Sequence, residues 1–188
     1  KPKDPIVAVP RKEEPTTVDP NRAAAEWVLS LKGEVSGVGN VGFRSLAALP
    51  KTPFQVGLIS LEGRPVSDDD LARIEKLSEL HFLDLTTTQV SDAGLVHLQG
   101  LMKLEMLRLD GDNITDAGLP RLKGFSQLRR LLLGGTSITD DGLPHLQDLK
   151  LLVLGLVNTK IGDAGVAHII KMPTVDRVAL NNTAITDK

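Results

Sequence analysis

The chain has no cysteine and no tyrosine, and aromatic residues make up 3% of its 188 positions. Without Cys there are no disulfides, thiolate metal ligands or cysteine nucleophiles, and the compartment stays open, because a Cys-free chain suits either redox environment. The scarcity of aromatics requires an aliphatic core and leaves few platforms for stacking bases or sugars. Formal charge is -2, so no global field draws the chain to nucleic acid or to an acidic membrane. No apolar run approaches the roughly 18 residues that span a bilayer. Residue 1 is Lys. The chain is therefore expected to be a fragment or a processed form, which leaves room for a removed signal peptide or anchor.

What is present is a repeat. Leu104 to Gln127 alternates in its first half, with Leu107 and Leu109 flanking one polar residue, and places Leu119 and Leu122 three apart in its second. Period two followed by helical spacing inside one recurring unit is the signature of a solenoid. The units start at Val56, Leu80, Leu104, Leu128, Leu151 and Val175, in steps of 24, 24, 24, 23 and 24 residues. The short step falls at a turn around Lys150. Paired strand positions such as Leu83/Leu85 and Leu131/Leu133 are expected to point inward. So are Val66, Val90, Ile114, Ile138, Ile161 and Ile185, and helical pairs such as Leu95/Leu98. Only stacking of neighbouring units can bury them, and truncating one such Leu should cost ~2–5 kcal/mol.

Residues 1–19 are rich in proline and in charge of both signs, and read as a disordered tether. Residues 20–53 read as an N-terminal cap: Asp19 and Pro20 start a helix with Ala23, Ala24, Trp27, Val28 and Leu31 on one face, and Gly33 stops it. A short strand at 34–38, an irregular glycine-rich passage to Phe43 and a helical turn at 45–49 follow. The array fills 54–188 with about six units, the last incomplete, so its C-terminal end is expected to be open.

The run at Leu128–Leu149, LxxLxLxxTxITDxGLxxLxxL, resembles a leucine-rich repeat. The turns at Ser91–Leu95, Thr115–Leu119 and Thr139–Leu143 resemble a bacterial TDAGL subclass, planctomycete-like and close to GALA-type repeats, and residues 23–35 resemble the segment that caps such arrays. The resemblance implies an α/β leucine-rich-repeat solenoid: a right-handed arc with parallel strands on the concave face and short convex helices. It also implies protein recognition rather than catalysis. Arg64, Asp112, Gly162 and the lost residue near Lys150 depart from the pattern.

Several features invite a chemical reading. Asp68, Asp92, Asp116, Asp140, Asp163 and Asp187 recur in all units; each is expected to cap its own helix rather than to hold Ca²⁺. Gly94, Gly118, Gly142 and Gly165 are expected to serve a tight turn or close packing of coils. His97, His145 and His168 share a helical position with Arg73 and Arg121 and read as a solvated basic stripe; His145 and His168 could approach each other, but a third metal ligand is lacking. The run at 37–42 fits GxGxxG only superficially and reads as a cap loop. No metal, cofactor or catalytic residue is expected.

The outward strand positions are the better candidates. Phe82, Met106, Leu132 and Val153 would form a diagonal apolar band, with Asp84, Arg108, Asp110 and Arg130 beside it. An apolar patch with a charged rim reads as a partner-binding surface. The expected function is a non-enzymatic module that binds a protein partner through its concave face, without nucleic acid and without a membrane span. Two alternatives are a structural or self-associating solenoid joined through its open C-terminal end, and a regulatory segment of a larger enzyme such as a kinase. The proline-rich start suggests a bacterial envelope or secreted protein, with a cytoplasmic one as the alternative.

Overall fold

The computed structural model describes residues 19–186; the expected tether, apart from Asp19, lies outside them. Helix α1 (Pro20–Ser30) begins where Asp19 accepts a hydrogen bond from the Asn21 amide. Its buried face is Asn21, Ala24, Ala25 and Val28. That face is rotated from the expected one: Ala23 is exposed, and Trp27 and Leu31 are half-buried. The helix ends through paired hydrogen bonds, Lys32 N–H to the Leu29 carbonyl (3.0 Å) and Gly33 N–H to that of Val28 (2.9 Å). Lys32, not Gly33, takes the left-handed conformation, at φ 59°. Gly33 is needed because a Cβ there would lie 2.8 Å from the Ser60 carbonyl oxygen.

The glycine-rich passage is not irregular. It forms a hairpin of β1 (Glu34–Gly37) and β2 (Val41–Phe43), turned through Gly39 and Asn40, both at positive φ. Strand β1 also pairs antiparallel with β3 (Val56–Ser60). From there the sheet is parallel, through β4 (Phe82–Asp84), β5 (Met106–Arg108), β6 (Arg130–Leu132), β7 (Val153–Gly155) and β8 (Arg177–Ala179). Register follows the repeat: Leu58 pairs with Phe82, Phe82 with Met106 and Met106 with Arg130, and the shortened step pairs Arg130 with Val153.

Opposite the sheet lie short helices. Four are 3₁₀ turns (Asp69–Arg73, Gly94–Leu98, Leu119–Gly124 and Asp140–Leu146); the last is α2 (Asp163–Ile169). Between the layers the repeated leucines form one aliphatic core, with Leu83, Leu107, Leu131 and Leu154 fully buried. In the sixth unit Val178 and Leu180 are half-buried and Ile185 is exposed.

Each coil leaves its strand through one left-handed residue: Gly63, Thr87, Gly111, Gly135, Asn158 and Asn182. Asp187 lies outside the described residues; the other recurring aspartates do not cap their own helices as expected. Asp68 accepts from the amide and hydroxyl of Ser91 in the next unit, at 2.7 and 2.6 Å. Asp92 does the same with Thr115, Asp116 with Thr139 and Asp163 with Thr186. The cap is the hydroxyl itself, since Ser91, Thr115 and Thr139 accept from the amides of Ala93, Ala117 and Asp141. The glycines follow from this stapling: a Cβ at Gly94, Gly118, Gly142 or Gly165 would lie 2.2–2.4 Å from the carboxylate of the preceding unit's aspartate. In the first unit Asp70 stands in that place, and its carboxylate accepts from the amide and hydroxyl of its own unit's Ser67. The Ser67 amide, then its hydroxyl, hold Asp70 below the usual carboxylate range.

Candidate protein-binding face

The parallel register sets the outward side chains in rows across the sheet. One row runs Leu58, Phe82, Met106, Arg130, Val153, Arg177; the next runs Ser60, Asp84, Arg108, Leu132, Gly155, Ala179. Neighbours in a row stand ~4.8 Å apart, so Phe82 and Met106 are direct neighbours, whereas Met106 reaches Leu132 only on the diagonal. All four apolar candidates are partly exposed. Phe82 and Met106 stand in one row beside Leu58, and Leu132 lies diagonal to both Met106 and Val153, with Arg108 and Arg130 between them.

The charged candidates are not equivalent. Asp84 is 2% exposed. Its Oδ2 accepts from Arg108 Nη1 at 2.8 Å and its Oδ1 from the Thr86 amide at 3.0 Å. Asp110 Oδ1 accepts from the Gly134 amide at 2.9 Å, while its Oδ2 lies 3.8 Å from Arg108 Nε. Asp84, Arg108 and Asp110, two carboxylates around one guanidinium, thus form one network that ties β4 to β5 and to the loop after β6. Arg130 is exposed and makes no ion pair among the described residues.

One feature of the face had no clear sequence signal. The hairpin loop rises beside β3 and walls a shallow cleft of ≈ 300 Å³, lined by Val38, Gly39, Asn40, Leu58, His81 and Phe82. Val38 is 50% exposed at its lip. The positive φ of Gly39 and Asn40 makes this turn, and the two residue types were the only hint of it.

On the convex side, His97 Nδ1 lies 3.4 Å from Glu75 Oε2, and His168 Nδ1 lies 3.3 Å from Gln147 Nε2 rather than against His145. Among the described residues no group of three or more His, Cys, Asp and Glu side chains could hold a metal ion. No helix among them is long and apolar enough to cross a membrane. Beneath the turn after β5, Asp112 is 4% exposed and accepts from the Thr88 amide and hydroxyl at 2.8 and 2.9 Å. Burial pushes its carboxyl up to about 6; the Thr88 bonds oppose the rise, and the Asp110 and Asp84 charges add to it.

No protein-family model matches the chain, and no curated protein matches it. Solved structures do. An internalin (InlF) of Listeria monocytogenes is 23% identical over 70% of this chain, with a TM-score of 0.53; this chain spans 43% of that protein. The leucine-rich-repeat ectodomain of the receptor kinase SOBIR1 from Arabidopsis thaliana is 16% identical over 88% of this chain and 94% of its own, with a TM-score of 0.55. These likenesses agree with the strand order, the aliphatic core and the short opposing helices: the chain folds as a leucine-rich-repeat solenoid.

Proposed function

We propose that the chain is a non-enzymatic protein-binding module that engages a protein partner through the concave face of its sheet. The observation that carries this reading is the exposure of Phe82, Met106, Leu132 and Val153 on that face. The core is complete without them, since the inward leucines are already fully buried. Large apolar side chains left on a wet face in a charged surround favour a binding surface. The similar plant structure is by name the ectodomain of a receptor kinase, and recognition is a natural use for a fold that presents one broad sheet face. The shared turns at Ser91–Leu95, Thr115–Leu119 and Thr139–Leu143 favour placing the array in the bacterial TDAGL subclass. Residues 20–53 serve it as a cap in this reading, and Asp84, Arg108 and Asp110 hold the face rigid rather than contact the partner directly.

The test replaces Phe82, Met106 and Leu132 together with Asp. Circular dichroism should be unchanged, because none of the three lies in the core. Proteins cross-linked to the wild-type chain in lysate, identified by mass spectrometry, should be lost on the triple variant. An identical set of cross-linked proteins on both chains would rule the concave face out.

A further inference from the structure

We infer that the half of the concave face formed by β6, β7 and β8 seats an acidic–apolar segment of a protein partner: an extended stretch with two carboxylates about three residues apart and a small apolar side chain between them. The inference rests on the concave-face reading above and names the chemistry of its partner.

The two halves of the face differ in which charges are free. Toward β4 and β5 the one guanidinium is committed, with Arg108 on Asp84 at 2.8 Å and the Gly134 amide on Asp110 at 2.9 Å, and Glu105 is exposed beside them. A partner arriving there meets carboxylates in excess of the one arginine. Toward β6–β8 the register places Arg130, Val153 and Arg177 in one row. Arg130 has no carboxylate within ion-pairing distance among the described residues. Arg177 has only Asp176, at 3.7 Å, with the two side chains 81% and 76% exposed, and such a solvated pair contributes little. Glu105 and Asp176 stand one residue before the row and bound it on that side. The uncommitted charge in the row is cationic, although the whole chain carries -2. Attraction for anions is therefore local to this row rather than global.

The floor beside the arginines is apolar and low. Leu132, Gly155 and Ala179 share the next row. Gly155 is buried, and a Cβ there would lie 2.7 Å from Leu132 Cδ2, so the leucine leans across it. No side chain rises from this floor to bond a polar ligand, which suits a small apolar group. Two strand steps put the arginines ~10 Å apart, and an extended chain crossing the strands at ~3.3 Å per residue brings its carboxylates to both when they are three residues apart. Each guanidinium can take a carboxylate through two N–H donors.

The experiment selects peptides from a random phage-displayed library on the full chain and measures the affinity of the selected sequences by fluorescence anisotropy. Selected peptides should be enriched in pairs of Asp or Glu three apart around an apolar residue. Arg130→Glu or Arg177→Glu should weaken them by about tenfold or more, while Phe82→Asp leaves them bound. Exchanging the peptide's acids for Lys should restore binding to a variant that carries both Arg130→Glu and Arg177→Glu. Failure to select any peptide, or selection without acidic enrichment, overturns the inference. Peptides lost on Phe82→Asp but not on the arginine variants overturn it while leaving the concave-face reading intact. Peptides indifferent to all three substitutions overturn both.

Discussion

At the repeat position of residue 112, Thr88, Thr136, Thr159 and Thr183 place a hydroxyl, the first unit places Arg64, and this unit places a carboxylate. Thr136, Thr159 and Thr183 each donate to the carbonyl three residues back, that of Leu133, Leu156 and Leu180, at 2.6, 2.7 and 2.9 Å. Ionised Asp112 cannot donate. Its Oδ1 accepts from Thr88, while its Oδ2 is buried with no partner. Protonated, Oδ2 carries the hydrogen that the repeat would direct toward the Leu109 carbonyl. The folded carboxyl sits at about 6 against an ordinary 3.8, raised first by burial. A proton held more tightly in the folded state stabilises it fully below the unfolded pKa, and that contribution is lost as pH rises through the folded one. Stability should therefore fall between about pH 4 and about pH 6 and then level. Asp112→Thr should flatten this decline and be the more stable form above pH 6, by on the order of 1–2 kcal/mol. Denaturant melts of both chains across that range check it; a difference between them that is independent of pH would show that Asp112 stays ionised throughout.

The element that repeats is a seam, and its logic is a carboxylate of one coil against a hydroxyl, an amide and a glycine of the next. Thr115 donates to Asp92 from its amide at 2.9 Å and its hydroxyl at 2.6 Å, and an added Cβ on Gly118 would meet the same Asp92 at 2.2 Å. Gly118→Ala should thus cost on the order of 1–3 kcal/mol through overpacking. In an Asp92→Ala background the obstruction is gone, and the same change should cost much less. A double-mutant cycle should give a coupling above about 0.5 kcal/mol; additive effects would mean that Gly118 serves its own turn and not the seam. The aspartates and glycines were plain in the sequence, but not whom they meet. An oxygen that caps its own helix and one that staples the next coil have the same spacing pattern in a 24-residue repeat. The hairpin was hidden for another reason. Its β1–β3 pairing is long-range, and a stretch of three glycines shows no alternation from which to read strands.

Across the whole molecule the aliphatic period was legible because every inward position recurs in every unit, and burial follows it from Val56 to Ile161. The candidate face was legible only as a list of outward residues. That Asp84 and Asp110 are already spoken for depends on Arg108 and on the Gly134 amide, which are neighbours only once the coils stack. The same stacking shows where the solenoid is held least firmly. Each seam is closed by an amide and a hydroxyl except the one between the fourth unit and the fifth, ahead of α2, where Gly162 stands in place of Ser or Thr. There Asp140 Oδ1 accepts only the Gly162 amide, at 2.8 Å. The backbone is extended at φ -114°, ψ -164°, much as at Thr139, and a Cβ would lie 3.3 Å from Asp140 Oδ2. A threonine side chain can therefore enter without left-handed strain and bring the missing hydroxyl to Oδ2. Gly162→Thr should raise stability by about 0.5–1.5 kcal/mol, with some of the gain arising from reduced freedom of the unfolded chain. Hydrogen exchange separates the two sources. The Lys160 amide donates to the Ile138 carbonyl at 3.2 Å, directly across this seam. A repaired seam slows exchange at Lys160 more than at amides of the second and third units. Equal slowing everywhere would assign the gain to the unfolded chain and leave the seam no weaker than its neighbours.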